Sequence, residues 1–334
     1  MSMEFKTIDW KGDKVRIIDQ RELPLKEIYL DLKTPEDVYY AIKSMAIRGA
    51  PAIGILAAYG VALSSMKGDK EKTIKDIKML RSSRPTAYNL FYALERMEKV
   101  VKENFDKEKI IEEAIKIHEE DRRICDELGK LGAELLPDEA KCFTICNAGA
   151  LATGGIGTAL AVFYKAKELG KRIKVFAPET RPFLQGARLT AWELNKNGID
   201  VTLIADNAMG FIFENEKIDA VFVGADRITM NGDFANKIGT LNLAIISNYF
   251  KVPFYTVAPT TTIDRNMKDG KSIPIEERDE KEITEIKGIR IAPYNINVRN
   301  PVFDVTPNEL LTGIICEKGI IKKPFNENIK KICF

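Results

Sequence analysis

The chain has 334 residues, 45% hydrophobic and 30% charged, with a formal net charge of +2. That length exceeds one typical compact unit, which predicts two domains. The near-neutral charge excludes the basic footprint of a nucleic-acid binder, and no apolar run reads as a bilayer span or a signal-peptide core, so no membrane partner is expected.

Two residue types narrow the chemistry further. The single histidine, His118, lies in KIIEEAIKIHEEDRRI, whose apolar spacing is helical and whose neighbours are charged; a surface or half-buried helix position is expected. Histidine triads and multi-histidine metal sites are thereby set aside, and acid–base work falls to carboxylates, cysteine, lysine or tyrosine. Five cysteines, an odd number, outline no disulfide framework. The lone C-x3-C of Cys142 and Cys146 has no second pair to complete a zinc site. A reducing cytoplasm is the simpler setting.

In chain order, FKTIDWKGDKVRIIDQRELP predicts a short β-hairpin turning at Lys11–Asp13. From about Pro35 to Gly132 the pattern is helical. Thr34 serves as N-cap with Pro35 at the first helical position, and helices are expected over 70–81, 86–103 and 107–134. After Pro137 short apolar runs recur: CFTIC (142–146), IKVFAP (173–178), VTLIA (201–205), AVFVGA (220–225) and VPFYTVAP (252–259). Helix-length segments at 156–169, 184–197, 208–215 and 238–249 separate them. Such alternation implies right-handed βαβ crossovers and a doubly wound parallel sheet, hence an α/β fold. The division expected is 1–130, a hairpin plus helical domain, and 131–334, the sheet domain.

In such a sheet, ligands sit beyond the carboxyl ends of the strands. The groups found there are Cys146-Asn147-Ala148-Gly149, Glu179-Thr180-Arg181-Pro182, Asp206-Asn207 and Gly224-Ala225-Asp226-Arg227. A thiol and charges gathered in this way are hard to explain by packing alone. Gly155-Ile156-Gly157 begins like a dinucleotide fingerprint, but the third small position is missing and the glycines fall too far past the strand for the tight first turn. They are expected instead to bring backbone close to a helix start, where free N–H groups suit a phosphate.

Cys146 admits two readings: a small hydrophobe closing a buried strand, or a thiol whose pKa the polar turn and following helix lower enough to make it a base. Asp226 is either a turn residue or a carboxyl on which burial holds a proton. Asn236 and Lys237 lead towards a helix, as caps or as donors to a sugar hydroxyl or phosphate. Arg48 in IRGAPA and Arg84 in SRPTA stand in breaker-rich turns, either solvated or gripping a phosphate.

Together IIDQRELP, IRGAPAIG, SSRPTA, ICNAGALAT, ETRPFLQGARLTAWEL and VGADRITMNGDFANKIGT closely resemble the methylthioribose-1-phosphate isomerase family, aldose–ketose isomerases of methionine salvage related to the regulatory subunits of translation initiation factor 2B. The likeness runs from about residue 5 to about residue 325. It implies a smaller N-terminal domain and a Rossmann-like C-terminal domain. It also implies a homodimer, a sugar-phosphate substrate, and no metal or redox cofactor. By resemblance Cys146 is the catalytic thiol and Asp226 the proton donor, with substrate contacts on Arg48, Gly49, Ala50, Arg84, Gln185, Asn236 and Lys237. The hydrogen on C2 then reaches C1 either as a proton, through an enediolate-like species, or directly as a hydride. Two relatives of the family stay open as alternatives: a ribose-1,5-bisphosphate isomerase and a non-catalytic regulatory subunit.

Overall fold

A computed structural model describes residues 3–84 and 88–334. The chain divides into two units, Met1–Asp126 with Ala148–Gly157, and Glu127–Asn147 with Thr158–Phe334. The first unit therefore takes back a short segment that lies, in sequence, inside the second.

In the first unit, β1 (Ile8–Trp10) and β2 (Val15–Ile18) form the expected hairpin, closed where Lys11 N donates to Lys14 O at 2.9 Å. A strand the sequence did not announce, β3 (Tyr29–Leu32), pairs antiparallel with β2. Helices α1 (Pro35–Lys43), α2 (Ala50–Lys67), α3 (Lys70–Arg81), α4 (Tyr88–Glu103) and α5 (Lys107–Glu134) follow, the residues of α5 from Glu127 on counting with the second unit. Residues 86 and 87 of the helix expected over 86–103 lie outside the described residues. At the start of α1, Thr34 Oγ1 accepts from Asp37 N at 3.1 Å and the Asp37 carboxylate accepts from Thr34 N at 3.0 Å, a reciprocal cap for two otherwise orphaned N–H groups.

Helix α2 corrects one expectation. Its 18 residues, with mean hydropathy 1.2, are long and apolar enough to cross a membrane by length and composition alone. It is instead the core helix of the first unit. Ile53, Leu56, Tyr59 and Leu63 are buried in one cluster with Val38, Leu80, Leu94 and Met97. A helix apolar on every side needs such surroundings.

His118 is buried as well, not half-exposed at the surface. Its Nε2 lies 3.0 Å from Gly154 O and its Nδ1 2.8 Å from the Tyr59 hydroxyl. A carbonyl only accepts, so Nε2 carries the proton and Tyr59 donates to Nδ1. Burial lowers the His118 pKa and keeps the ring neutral. Charged sequence neighbours masked a position that faces inward.

The returning segment Ala148–Gly157 is tied down along its length. Thr7 Oγ1 donates to Ala150 O at 2.7 Å, Gln20 Nε2 to Leu151 O at 2.7 Å, and Gly154 N to Asp121 Oδ2 at 2.7 Å. A Cβ on Gly154 would sit 2.4 Å from His118 Cδ2, and one on Gly155 3.0 Å from Arg122 Cα. Gly154 and Gly155 bring backbone against the flank of α5, while a Cβ on Gly157 would lie 2.5 Å from Gly149 Cα.

The second unit contains β4 (Glu139–Phe143), α6 (Ala159–Glu168), β5 (Arg172–Pro178), α7 (Ala191–Lys196), β6 (Asp200–Ile204), α8 (Met209–Asn215) and β7 (Ala220–Val223). It continues with β8 (Arg227–Ile228), β9 (Phe234–Lys237), α9 (Thr240–Tyr249), β10 (Phe254–Val257), α10 (Lys281–Thr284), β11 (Glu285–Ile286) and β12 (Ile289–Arg290). It closes with β13 (Phe303–Thr306), β14 (Gly313–Cys316), β15 (Gly319–Ile321) and α11 (Phe325–Cys333).

The main sheet runs β15-β14-β10-β7-β4-β5-β6, parallel throughout except for the antiparallel edge strand β15. The doubly wound arrangement expected from the alternating runs is present. Phe143, Phe176, Val221, Val223, Phe254 and Ile314 fill its core. Two small sheets, β13-β9-β8 and β11-β12, had no clear periodic signal because their strands are short.

Candidate active site

Strand order reverses between β4 and β7: β5 and β6 lie to one side, β10 and β14 to the other. Phe143 of β4 is paired with Val221 of β7. Cys146 follows the end of β4 by three residues, and Asp226 follows the end of β7 by three. Both therefore stand beyond the carboxyl ends of the two strands that flank the reversal, where a ligand crevice opens in sheets of this kind.

The chain leaves β4 earlier than the apolar run CFTIC implied, because Cys146 is turned into the left-handed region, with φ 65°. A non-glycine residue there costs about 1–2 kcal/mol. Two buried threonine hydroxyls satisfy its peptide groups: Cys146 N donates to Thr180 Oγ1 at 3.1 Å, and Thr190 Oγ1 donates to Cys146 O. The half-buried sulfur accepts from Gln185 Nε2 at 3.3 Å. Gln185 is 3% exposed, and its Oε1 has no hydrogen-bond partner among the described residues.

Gln185 is placed by a break in the helix expected over 184–197. That segment is a π turn at Gly186–Thr190 running into α7. A Cβ on Gly186 would lie 1.8 Å from Pro178 O, so only glycine lets the turn pack against the end of β5.

Behind the thiol, Asn147 Nδ2 and the Tyr164 hydroxyl each donate to the fully buried Glu193 carboxylate at 2.9 Å. Burial, with the Glu193 charge beside it, pushes the Tyr164 phenol well up, so Tyr164 keeps its proton. Asp206, one of the strand-end acids, accepts from Thr180 N at 2.7 Å and Arg181 N at 2.6 Å. The Arg181 guanidinium donates to Glu282 O and Ile283 O. Those charges hold a turn.

Asp226 is exposed, where a buried carboxyl was expected. Its N donates to Ala235 O at 2.9 Å, so the residue directly precedes β8 and extends its pairing with β9. Asn236 and Lys237 end β9 and do not start a helix; α9 begins later, at Thr240. Asn236 is buried and donates to Thr240 Oγ1 at 2.9 Å, while Lys237 Nζ lies 4.5 Å above the Phe303 ring.

Sequence reasoning missed Asp304, which pairs with Asn236 across β13 and β9. Its carboxylate accepts from Gly239 N at 2.7 Å and Leu241 N at 3.1 Å, capping α9 from another strand. Burial pushes its carboxyl up to about 6. An acid inside the run NPVFDVTP was the only signal.

The remaining residues belong to the first unit. Arg48 and Gly49 precede α2, Gly49 is its N-cap with φ 94°, and Ala50 is its first residue. Arg84, half-buried, follows α3; its neighbours Pro85, Thr86 and Ala87 lie outside the described residues. Among the described residues no group of three or more His, Cys, Asp or Glu side chains has the arrangement of a metal site.

Comparison with known proteins adds four findings. The sequence model of the Initiation factor 2 subunit family matches residues 46–323. Methylthioribose-1-phosphate isomerase of Thermotoga neapolitana is 53% identical over 340 residues, with 99% of each chain covered. Among solved structures, 5-methylthioribose 1-phosphate isomerase from Pyrococcus horikoshii is similar with TM-score 0.94 and 44% identity, over 99% of this chain and 96% of that one. A structure described as translation initiation factor eIF-2B, subunit delta, from A. fulgidus is similar with TM-score 0.93 and 40% identity, over 99% of both chains.

Proposed function

We propose, for a chain that belongs to the initiation factor 2 subunit family and within it to the methylthioribose-1-phosphate isomerases, that it converts 5-methylthioribose 1-phosphate into 5-methylthioribulose 1-phosphate. The observation that carries this is the placement of Cys146 and Asp226 beyond the two strands flanking the sheet reversal, with Gln185 donating to the sulfur.

The chemistry fits that pair. Phosphate on the anomeric oxygen blocks the free aldehyde, so the ring must open. The ring oxygen gains one proton, the C2 hydroxyl loses one, and the hydrogen on C2 ends on C1. Asp226 supplies the first proton and Cys146 handles the second, two groups of different acidity serving opposite ends of one transfer. In the second unit, Lys237 binds the phosphate. Gln185 and Asn236, in the second unit, contact the sugar. We also read the protein as a homodimer; exposed Ile245 and Tyr249, one turn apart on α9, support a covered face there, and sedimentation equilibrium gives the mass.

A second reading, a binding subunit without catalysis, is favoured by the name of the A. fulgidus structure. The thiol and carboxylate at the reversal favour the enzyme. Phosphorus NMR of purified protein with 5-methylthioribose 1-phosphate decides: appearance of the ketose phosphate is expected, and folded protein that leaves the substrate unchanged overturns the proposal.

A further inference from the structure

We infer that Thr180 and Thr190 are positioning residues that clamp Cys146 in its left-handed conformation and so aim its sulfur at Gln185, with Asp206 securing Thr180 from behind. The inference rests on the proposed role of Cys146 and assigns work to strand-end groups that the substrate-binding set leaves out.

The geometry is a chain of donors and acceptors with Cys146 at its centre. On one side Thr180 Oγ1 accepts from Cys146 N and donates to Pro178 O at 3.1 Å, so both capacities of the hydroxyl are used. Thr180 itself has φ 62°, and the Asp206 carboxylate accepts its N–H and that of Arg181. On the other side Thr190 Oγ1 donates to Cys146 O and accepts from Asn147 Nδ2 at 3.3 Å. Both threonines are buried, so water cannot substitute for either hydroxyl.

Strain at a single residue persists only where its surroundings over-determine it. Here they do so through side chains, where a sheet would use the neighbouring strand. Release of either end lets Cys146 relax to an ordinary backbone conformation, which swings Sγ away from the Gln185 amide. Neither threonine hydroxyl is hydrogen-bonded to the sulfur among the described residues, so their removal acts on where the thiol stands.

The test compares Thr190→Val, Thr180→Val and Thr190→Ser with the unsubstituted protein, each at a temperature where it is fully folded. Both valine variants are expected to lose about 100-fold in kcat with KM changed by less than about threefold, since misplacement of a reacting group by about an ångström has that cost. The rate of Cys146 alkylation by iodoacetamide, read by peptide mass spectrometry, is expected to shift in both. Thr190→Ser, which keeps the hydroxyl, restores kcat and the alkylation rate.

Folded valine variants with unaltered kcat and unaltered alkylation overturn the inference. If neither valine variant folds, a folded Thr190→Ser that fails to keep kcat overturns it. Alkylation needs no turnover, so absence of isomerase activity in the unsubstituted protein counts against the proposed function alone.

Discussion

Gln185 Nε2 donates a hydrogen bond to Cys146 Sγ at 3.3 Å, and the same buried amide holds an Oε1 with no partner among the described residues. The contact links a π turn after β5 to the residue that leaves β4, and it holds the sulfur in place. Gln185→Met preserves most of the volume and removes the donor. Turnover is expected to fall about 10- to 100-fold, the worth of one hydrogen bond to a charged group. The rate of Cys146 alkylation by iodoacetamide is expected to change. Steady-state kinetics with the alkylation rate check both, and an unchanged rate would remove Gln185 from the thiol's support.

Cys146→Ala and Asp226→Asn separate chemistry from folding. Cys146 is half-buried and Asp226 exposed, so neither truncation opens a core cavity. Each variant is expected to lose at least about 100-fold in turnover, the usual contribution of an acid or base group. Thermal unfolding is expected to stay within a few degrees of the unsubstituted protein. Near-normal activity in either would take that residue out of the proposed mechanism.

Asp121 gives stability a pH signature. It accepts from Gly154 N, with the Cys125 thiol beside it, and burial pushes its carboxyl from 3.8 up to about 6. The folded state therefore binds the proton more tightly than the unfolded chain. The stability this confers is present at low pH and lost as pH rises through about 6, a difference on the order of 3 kcal/mol. Asp304 titrates in the same sense, so the difference between Asp121→Asn and the unsubstituted protein isolates Asp121. Urea unfolding on either side of pH 6 is expected to show a smaller pH dependence in Asp121→Asn; equal dependence in both would mean that Asp121 does not titrate there.

Gly155 tests the meaning of the glycine-rich turn. A Cβ there would lie 2.9 Å from Cys125 Cβ and 3.0 Å from Arg122 Cα, and backbone cannot step aside as a flexible side chain can. Gly155→Ala is expected to destabilise the protein by about 1–3 kcal/mol, the usual cost of overpacking. Urea unfolding measures it. A phosphate-binding glycine would instead raise KM with stability unchanged, and that result would restore the reading made from spacing alone.

Periodicity carried the regular elements. The helix expected over 70–81 is α3 and that over 107–134 is α5, because their apolar spacing and flanking caps are local properties of the chain. The alternation of apolar runs and helices was enough for the parallel sheet, since βαβ handedness and short connections leave few alternatives. The site was legible as residue types at strand ends. Thr180 and Thr190 gave no signal, because a threonine that clamps a cysteine looks like any other threonine.

What the sequence by itself determined about this protein is its alternation, its caps and its motifs, each set by residues close together in the chain. Only the tertiary structure decided that His118 is buried, that Gly154 and Gly155 pack against α5, that Asp226 is exposed, and that Asp304 caps α9 beside Asn236. Each of those depends on a partner tens of residues away or on burial that no local pattern records. Desolvation, close approach and long-range hydrogen bonds exist only once the chain has folded.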